Sequence, residues 1–284
     1  MVFSGVDDYN VYKDNVTIII NSCDSYGDVI ELFFKAFDEY WPNNKFPIVL
    51  NVESSDILAY TEMEKVGKGW GERLIDVLDS IETDYVIMVF DDFILEDFVD
   101  ENKIYAALDI LKNDTESSVF YLNAACLRDH QDDPDNDYRL LKQDSDYRMN
   151  SVPSIWKKND LKFFTRPIDN PWSWEVFGSY RTFNINKNFY STSSISKNIF
   201  KYNREKGGAI YRGKWVKDVV EDKIKKYSLE IDLNERGVIE FSDKVSRPLK
   251  WKIGFLVLGY KSIGFKMYKF ILRYFNLKLK GYFK

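Results

Sequence analysis

Two adjacent aspartates, Asp91 and Asp92, follow a run of apolar and aromatic residues from Tyr85 to Phe90. The run is short and rich in β-branched and aromatic residues, which is typical of a buried strand in a parallel sheet. The aspartates would then lie at the carboxyl end of that strand, where ligands of open α/β sheets bind. Neighbouring carboxylates repel each other unless a cation or a donor lies between them. We therefore predict a site for a divalent metal ion; the alternative is a solvated turn.

A second polar segment, NSCDSY, follows the first predicted strand and contains Ser22, Cys23 and Asp24. In a nucleotide-binding half-sheet this loop lies where the base and ribose rest. The alternative is an ordinary turn in which Asp24 or Ser25 caps the next helix. The chain contains neither GxGxxG nor GxxxxGK[ST], so another group, such as a metal ion held by the aspartates, would have to neutralise phosphate.

The elements that position these two segments alternate between strands and helices. Apolar residues at spacings of three and four predict helices in DVIELFFKAFDEYW and GWGERLIDVLDSIETD, which separate three predicted strands. A further helix (NKIYAALDILKND) and strand (SVFYLNAACL) follow the aspartates. This order predicts an α/β fold with a mostly parallel central sheet flanked by helices.

The second half of the chain is less regular. The polar span from Arg128 to Tyr147 predicts a long loop or a short hairpin. VPSIWKKNDLKFF predicts a strand and a short helix, and WSWEVFGSYR a helix of about two turns. Residues 184–202 are strand-like, and KWVKDVVEDKIKKYSL predicts a helix.

Composition excludes several classes of site. The 284 residues are 45% hydrophobic, enough for one large domain or two small ones. Two cysteines, Cys23 and Cys126, do not make a disulfide framework, and the single His130 argues against a histidine metal site or a Ser/His triad. The first residues lack the features of a signal peptide, and no apolar run is long enough to span a membrane. We therefore expect a cytosolic protein unless a surface patch docks it to a membrane.

The last residues of the chain differ in charge from the rest. The net charge is -5, but residues 247–284 contain ten Lys and Arg and no Asp or Glu. On a helix, one sector of this tail holds Lys266, Lys269, Arg273 and Lys280, and the broad opposite face holds Ile263, Met267, Phe270, Ile271 and Tyr274. The pattern is typical of a helix on an anionic membrane surface; the alternative is packing against the acidic body or a partner. Nucleic acid is a poor partner because the acidic body would repel phosphate.

The succession of motifs resembles the family 2-type glycosyltransferases of bacterial capsule, lipopolysaccharide and exopolysaccharide synthesis, over roughly residues 15–240. The motifs are NSCDSYGDVIELFFKAFDEYWPNNKFPIVLNVES, GWGERLIDVLDSIETDYVIMVFDDFILED, PSIWKKNDL and NPWSWEVFGS. The resemblance implies the glycosyltransferase-A fold and a DxD motif that binds Mg²⁺ or Mn²⁺ and the donor diphosphate. Here the aspartates are adjacent, and we assign Asp92 to the metal and Asp91 to the metal or the ribose.

The resemblance also implies a catalytic base. Inverting members carry a carboxylate on a helix near the acceptor, and Glu175 in NPWSWEVFGS is the best match. Trp172 and Trp174 flank it and would bind the acceptor sugar. The alternatives are a capping or ion-paired glutamate and tryptophans buried in the core.

Three basic residues complete the predicted donor site. Arg73 in GWGERL would hold phosphate, or would pair with a neighbouring acid. The segment GGAIYRGKW resembles a loop that closes over the donor, with Arg212 and Lys214 as phosphate contacts. The alternative for this segment is a surface turn before a helix.

Together these features predict a catalytic domain over residues 1–246, with a nucleotide-sugar half at about 15–125 and an acceptor half at about 126–246. Residues 247–284 would form the tail that docks the enzyme to the inner face of the cell membrane. The implied reaction is metal-dependent transfer of a sugar from a nucleotide diphosphate sugar, foremost a UDP-sugar, to a hydroxyl of a glycan or lipid-linked acceptor, with inversion. Two rivals remain: a sugar nucleotidyltransferase, which would show a Gly-rich basic loop after the first strand, and a non-catalytic glycan-binding or scaffold protein.

Overall fold

The computed structural model describes residues 1–3, 10–54, 68–129, 131, 133–205, 207–240 and 248–279. His130 and Lys280 lie outside these residues. The helices are α1 (Asn10–Lys13), α2 (Gly27–Tyr40), α3 (Trp70–Ser80), α4 (Glu101–Asn113), α5 (Lys158–Phe164), α6 (Pro171–Thr182), α7 (Lys217–Lys226), α8 (Leu233–Arg236), α9 (Leu249–Ile263) and α10 (Met267–Leu279). The strands are β1 (Val16–Asn21), β2 (Ile48–Asn51), β3 (Tyr85–Phe90), β4 (Ser117–Tyr121), β5 (Tyr138–Leu140), β6 (Ser154–Lys157), β7 (Asn188–Thr192), β8 (Ile210–Tyr211), β9 (Lys214–Val216) and β10 (Val238–Ile239).

The described strands form one large and one small sheet. The 7-stranded sheet has the order β2-β1-β3-β6-β4-β7-β5, and the 3-stranded sheet the order β10-β9-β8. In the large sheet β5 and β6 run opposite to the other strands, which are mutually parallel. The predicted fold class, an α/β protein with a mostly parallel central sheet flanked by helices, is confirmed.

Helices cover both faces of the sheet because its central strands are apolar on both sides. Ile18 and Ile20 of β1 pack into a core with α2, α4 and α7. Ile19, between them, points to the opposite core, which contains residues of α3, α5 and α6. The alternation follows from the two-residue period of a strand. The sheet is therefore buried on both faces, and ligands must approach it from an edge.

The register of the central strands places three segments at one edge. Asn21 at the end of β1 lies opposite Asn51 of β2 and Phe90 of β3. The Asn51 side chain donates to the side-chain amide oxygen Oδ1 of Asn21 at 3.0 Å, and the Trp70 indole donates to the same atom at 3.0 Å. The residues that follow these strands, including Asp91, therefore emerge side by side.

Several predicted elements differ in extent. The polar span from Arg128 to Tyr147 contains an edge strand, β5, and the predicted two-turn helix is the 12-residue α6. The first residues of KWVKDVVEDKIKKYSL form β9, because pairing with β8 and β10 outweighs the helical pattern there. In residues 184–202 the strand is limited to β7.

The tail forms two helices rather than one, since the chain turns at Gly264, which has a positive φ of 57°. Ile263 and Met267 are buried against Phe177 and Tyr180 of α6, with Phe270 packed on the same cluster. The prediction that Ile263, Met267 and Phe270 face a membrane is therefore wrong. These residues pack on the protein's own body, as the alternative proposed. No helix of the described chain is long and apolar enough to cross a membrane.

Candidate active site

The acidic pair begins immediately after β3. The backbone N–H of Asp91 donates to the carbonyl oxygen of Asn21 at 3.2 Å, and the Ser22 hydroxyl donates to its carboxylate. Asp91 is only 3% exposed. Burial raises the pKa of Asp91 to about 7, against the opposing effects of the Ser22 hydrogen bond and the charge of Arg236. The side chain is thus poised between its neutral and ionised forms near neutral pH.

Asp92 lies beside Asp91 and is half-buried. Its pKa is raised well above the ordinary value by burial, by the charge of Asp91 and by the charge of Glu175. Among the described residues no Lys or Arg forms an ion pair with either aspartate. Negative charge that develops on the pair is therefore not balanced by an ion pair within the described part of the protein.

A glycine loop packs directly on Asp92. Gly208 has a φ of 99°, and a Cβ atom there would lie 2.9 Å from the Asp92 carbonyl oxygen and 3.2 Å from its carboxylate. The next residue, Ala209, donates its N–H to the same carbonyl at 2.7 Å. Only glycine combines this backbone conformation with so close an approach. The first residues of GGAIYRGKW thus form a wall of the site.

The rest of that segment forms the hairpin of β8 and β9. Arg212 and Gly213 form its tip, both with positive φ, and the Arg212 guanidinium lies 5.1 Å from the centre of the Tyr211 ring. Lys214 is exposed. No described contact joins Arg212 or Lys214 to the aspartates, so their predicted contact with phosphate stays a prediction.

Glu175 approaches the acidic pair from α6. The helix begins with a capping box in which Asn170 accepts the N–H of Ser173 at 2.9 Å, and Glu175 follows in the next turn. Ser151 donates to Glu175 Oε1 from its N–H at 2.7 Å and from its hydroxyl at 2.6 Å. Burial raises the pKa of Glu175, while these two bonds oppose the shift. The charge of Glu175 also raises the pKa of Asp92, so these two carboxyl groups are close enough to interact electrostatically.

The two tryptophans beside Glu175 have different surroundings. Trp174 is fully buried, donates to the Thr165 hydroxyl at 3.1 Å, and packs on Trp70 and Trp156 at 5.9 and 5.8 Å. The predicted contact of Trp174 with an acceptor sugar is wrong, because the residue is a core side chain with no accessible face. Trp172 is 52% exposed.

The loop after β1 is held to the loop after β2. Asp24 accepts the N–H groups of Glu53 and Ser54, each at 2.9 Å, and its own N–H donates to the Glu53 carboxylate at 2.6 Å. Cys23 is half-buried, with its sulfur 3.2 Å from the Ser25 hydroxyl. These bonds fix the backbone of the predicted nucleotide loop beside Asp91.

Arg73 is buried beneath the same loop. It donates to Glu53 Oε1 at 2.8 Å and to the carbonyl oxygens of Lys68 and Ser22 at 3.1 and 3.3 Å. The guanidinium pairs with a neighbouring acid, which is the second of its two interpretations. Arg73 supports the loop from below.

Three residues of the site were missed by sequence reasoning. The Arg236 guanidinium lies 4.4 Å from the centre of the Tyr26 ring and pairs with Asp28 at 2.6 Å. Burial raises the pKa of Tyr26 to about 12, and the charges of both aspartates make smaller contributions in the same direction. Tyr202 stacks on Phe93 at 4.4 Å and also senses the charges of Asp92 and Glu175. Arg236 and Tyr202 come from distant segments and belong to no local motif, whereas Tyr26 ends the NSCDSY segment.

The acidic pair fits a divalent cation that is shared with a ligand. Within the described ranges no cluster of three or more His, Cys, Asp or Glu side chains has a metal-binding arrangement. Mg²⁺ typically takes one or two protein carboxylates and completes its shell with water and substrate phosphate oxygens. Two adjacent carboxyl groups without an ion-pair partner among the described residues match that need. Asp91 and Asp92 are therefore the residues that would hold the ion.

No protein-family model and no curated protein matches the sequence. Among solved structures, S. aureus TarS 1–349 is 12% identical, with 89% of this chain and 82% of that chain covered and a TM-score of 0.44. A cytidylyltransferase from Leptospira borgpetersenii serovar Hardjo-bovis is 12% identical, with 82% and 99% covered and a TM-score of 0.41. The CMP:2-keto-3-deoxy-manno-octonic acid synthetase complexed with CTP is 12% identical, with 62% and 88% covered and a TM-score of 0.41. At this level of similarity, functional assignment depends on the geometry of the site.

Proposed function

We propose that the protein is a metal-dependent glycosyltransferase. It would move a sugar from a nucleotide diphosphate sugar, foremost a UDP-sugar, to a hydroxyl of a lipid-linked surface glycan, with inversion. The observation that carries the proposal is the electrostatic interaction of Asp92 with both Asp91 and Glu175, although Glu175 lies in the opposite half of the chain. A site with two roles for carboxylates, cation binding and proton removal, suits this reaction.

The donor would lie against the carboxyl ends of β1 and β3. Asp91 and Asp92 would hold Mg²⁺ or Mn²⁺, which supplies positive charge to the leaving diphosphate. The fixed backbone of Ser22–Asp24 offers a surface for the nucleoside, and the Tyr26 ring lies near it. Gly208 and Ala209 close the opposite side of Asp92.

Glu175 would act as the general base. Ser151 holds Oε1, and among the described residues no hydrogen bond is made to Oε2, which can accept a proton from the acceptor hydroxyl. The acceptor oxygen then bonds to the anomeric carbon while the bond from that carbon to the diphosphate breaks. The raised pKa of Glu175 lies nearer to neutral pH, and a general base is most effective when its pKa is close to the operating pH. Exposed Trp172, three residues before it, is positioned to contact the acceptor.

A lipid-linked acceptor is supported by the tail. Each tail helix has an exposed apolar stripe at spacings of three and four. On α9 it consists of Leu249, Ile253, Leu256, Val257 and Tyr260, and on α10 of Tyr268, Ile271, Leu272 and Phe275. Large exposed apolar surfaces mark interaction sites, and ten basic residues without an acid favour an anionic bilayer. Docking there would place the enzyme at the cytoplasmic face of the membrane.

The first test is calorimetry of UDP, GDP, CDP and their sugars with and without Mn²⁺. We expect one nucleotide to bind in a metal-dependent manner, and Asp92→Ala to abolish that binding. The matched control is Asp97→Asn on the same segment, which breaks only an exposed pair with Lys201 and should bind as the wild type does. In Glu175→Gln donor binding should persist while sugar transfer is lost.

Two results would contradict the proposal. Absence of nucleotide binding by the folded protein would favour the scaffold or glycan-binding alternative. Binding of CTP with release of diphosphate in the presence of a free sugar acid or sugar phosphate would favour a nucleotidyltransferase. The loop after β1 argues against a nucleotidyltransferase. Such an enzyme would have a Gly-rich basic loop there, whereas this loop has Asp24, whose N–H donates to the Glu53 carboxylate.

A further inference from the structure

A groove of about 540 Å³ lies between α6, the two tail helices and the segment around Tyr147. Its lining consists of Arg128, Asp146, Tyr147, Val176, Tyr180, Trp251, Lys252, Phe255, Leu256, Phe270, Ile271, Arg273, Tyr274 and Phe275. The volume is within the range of small-molecule sites, about 300–1,000 Å³. We call it the tail groove.

The charges of the tail groove are unequal. Arg128, Lys252 and Arg273 line it, against one acid, Asp146, which pairs with Arg273 at 2.9 Å. All other lining residues are apolar or aromatic. A ligand that matches this lining has a long apolar part and an anionic end.

The tail groove is continuous with the exposed apolar surface of the tail. Trp251, Leu256, Ile271, Tyr274 and Phe275 line the groove and are also 36–55% exposed. Leu256, Ile271 and Phe275 belong to the apolar stripes described above. A hydrocarbon chain can therefore pass from the outer surface of the tail into the groove without crossing a polar barrier.

The inner end of the tail groove adjoins the candidate base. Val176, which follows Glu175 on α6, lines the groove. Tyr147 also lines it, and the pKa of this tyrosine is raised by burial and then by the charge of Glu175. Tyr147 has a φ of 55°, in a region rarely occupied by aromatic residues and often found at functional sites. Tyr147 thus lines the groove and is close enough to Glu175 to interact with its charge.

We infer that the tail groove binds the hydrocarbon chain of a lipid phosphate, which is the carrier of the acceptor glycan, and directs its polar end toward Glu175. This inference rests on the proposed function and specifies its acceptor class. The tail then has two roles, with its outer stripes on the bilayer and its inner wall on a single lipid chain. The excess of cations over acids in the lining, with Lys252 among them, supplies the charge that attracts the phosphate.

The test uses the full chain and dodecyl phosphate below its micelle concentration, followed by calorimetry without nucleotide or metal ion. We expect saturable binding of dodecyl phosphate, weaker binding of dodecanol, and none of inorganic phosphate. Leu256→Gln and Ile271→Gln, on the groove wall, should each weaken binding about tenfold, since each removes an aliphatic contact that the bound hydrocarbon chain would bury.

The controls separate the groove from the membrane surface. Ile253→Gln and Leu272→Gln change the same stripes at positions 54% and 64% exposed that do not line the groove. They should bind dodecyl phosphate normally and bind anionic phosphatidylglycerol vesicles more weakly. Lys252→Gln should also weaken dodecyl phosphate binding, whereas Lys250→Gln should not. The comparison of these two lysine variants keeps the test decisive if an apolar variant fails to fold.

Equal losses in the groove and control variants would overturn the inference, because they would indicate adsorption to the outer surface. So would the absence of saturable binding to the wild type. Failure of the proposed function is distinguishable, since nucleotide binding is measured without lipid. If the protein binds dodecyl phosphate but no nucleotide, the lipid-binding groove is supported and the glycosyltransferase proposal is contradicted.

Discussion

Arg73 and Asp91 are both buried at the carboxyl edge of the sheet, yet the fold treats their charges differently. Arg73, 4% exposed, pairs with Glu53 and donates to two backbone carbonyls. Asp91, 3% exposed, accepts a hydroxyl and lies beside a second acid. A buried charge without a counter-charge lowers stability. The difference separates a buried charge that supports the fold from one that, in our proposal, a bound cation neutralises.

A buried pair on the α6 side sharpens the comparison most strongly. Asp169 accepts from Arg181 Nη1 at 3.0 Å and Nη2 at 2.6 Å, and both side chains are almost inaccessible. We expect Asp169→Asn to lower the free energy of unfolding by about 3–5 kcal/mol, because a buried guanidinium loses its partner. Urea denaturation measures this. Asp97→Asn, which breaks an exposed pair, should cost less than about 1 kcal/mol; equal losses would contradict the distinction.

Asp91→Asn should raise the free energy of unfolding, in contrast to Asp169→Asn, which lowers it. The folded-state pKa of Asp91, about 7, lies above its ordinary value, so the folded state binds the extra proton and stability falls as pH rises from about 4 to 7. Without metal, the variant should be more stable than the wild type by roughly 2–3 kcal/mol at about pH 8 and nearly equal at about pH 4.5. Thermal unfolding at the two pH values checks this. If the variant is less stable than the wild type at the higher pH, Asp91 supports the fold as Arg73 does, and the distinction between them is contradicted.

Cation binding should then depend on pH. The ion must displace the proton from Asp91 and also from Asp92, whose pKa is raised as well. The affinity for Mn²⁺ with nucleotide should therefore fall at least about tenfold per pH unit below the pKa of about 7. Calorimetry in buffers of different ionisation enthalpy measures the affinity and the released proton together. Constant affinity from about pH 5.5 to 7.5 would mean that the carboxylate is already ionised without the ion.

The smallest expected effect is that of Arg236 on the pKa of Asp91. Arg236 forms its ion pair with Asp28, but its positive charge also acts on Asp91. Since this charge lowers the pKa of Asp91, Arg236→Gln should raise that pKa and move the pH dependence of Mn²⁺ binding upward by a few tenths of a unit. Arg236→Lys, which keeps the charge, is the matched control. A shift in both variants would point to a change of shape in the loop instead.

The position of the acidic pair could be predicted from sequence because its signal is local. The apolar run from Tyr85 to Phe90 predicts a strand, and the structure has β3 over the same residues. Asp91 and Asp92 necessarily follow at its carboxyl end. Glu175 could be proposed only by resemblance, because its closeness to Asp92 depends on how α6 packs beneath the sheet.

Other features depend on partners that the local sequence does not specify. Trp174 and Trp172 have similar neighbours in sequence, but only Trp174 meets Trp70 and Trp156. Arg236 and Tyr202 reach the site from segments more than a hundred residues away from Asp91 along the chain. The apolar residues of the tail predict an amphipathic surface, whereas which of them meet Phe177 is decided by the turn at Gly264.

The close contact of Gly259 with α6 has a practical consequence for preparing the protein. A Cβ atom at Gly259 would lie 2.5 Å from the Phe177 ring, so the helices meet with no space between them. Cutting the chain before α9 would remove an apolar outer surface and at the same time uncover Phe177 and Tyr180. A shortened protein should therefore precipitate more readily than the full chain, and a mild detergent is the better aid to solubility.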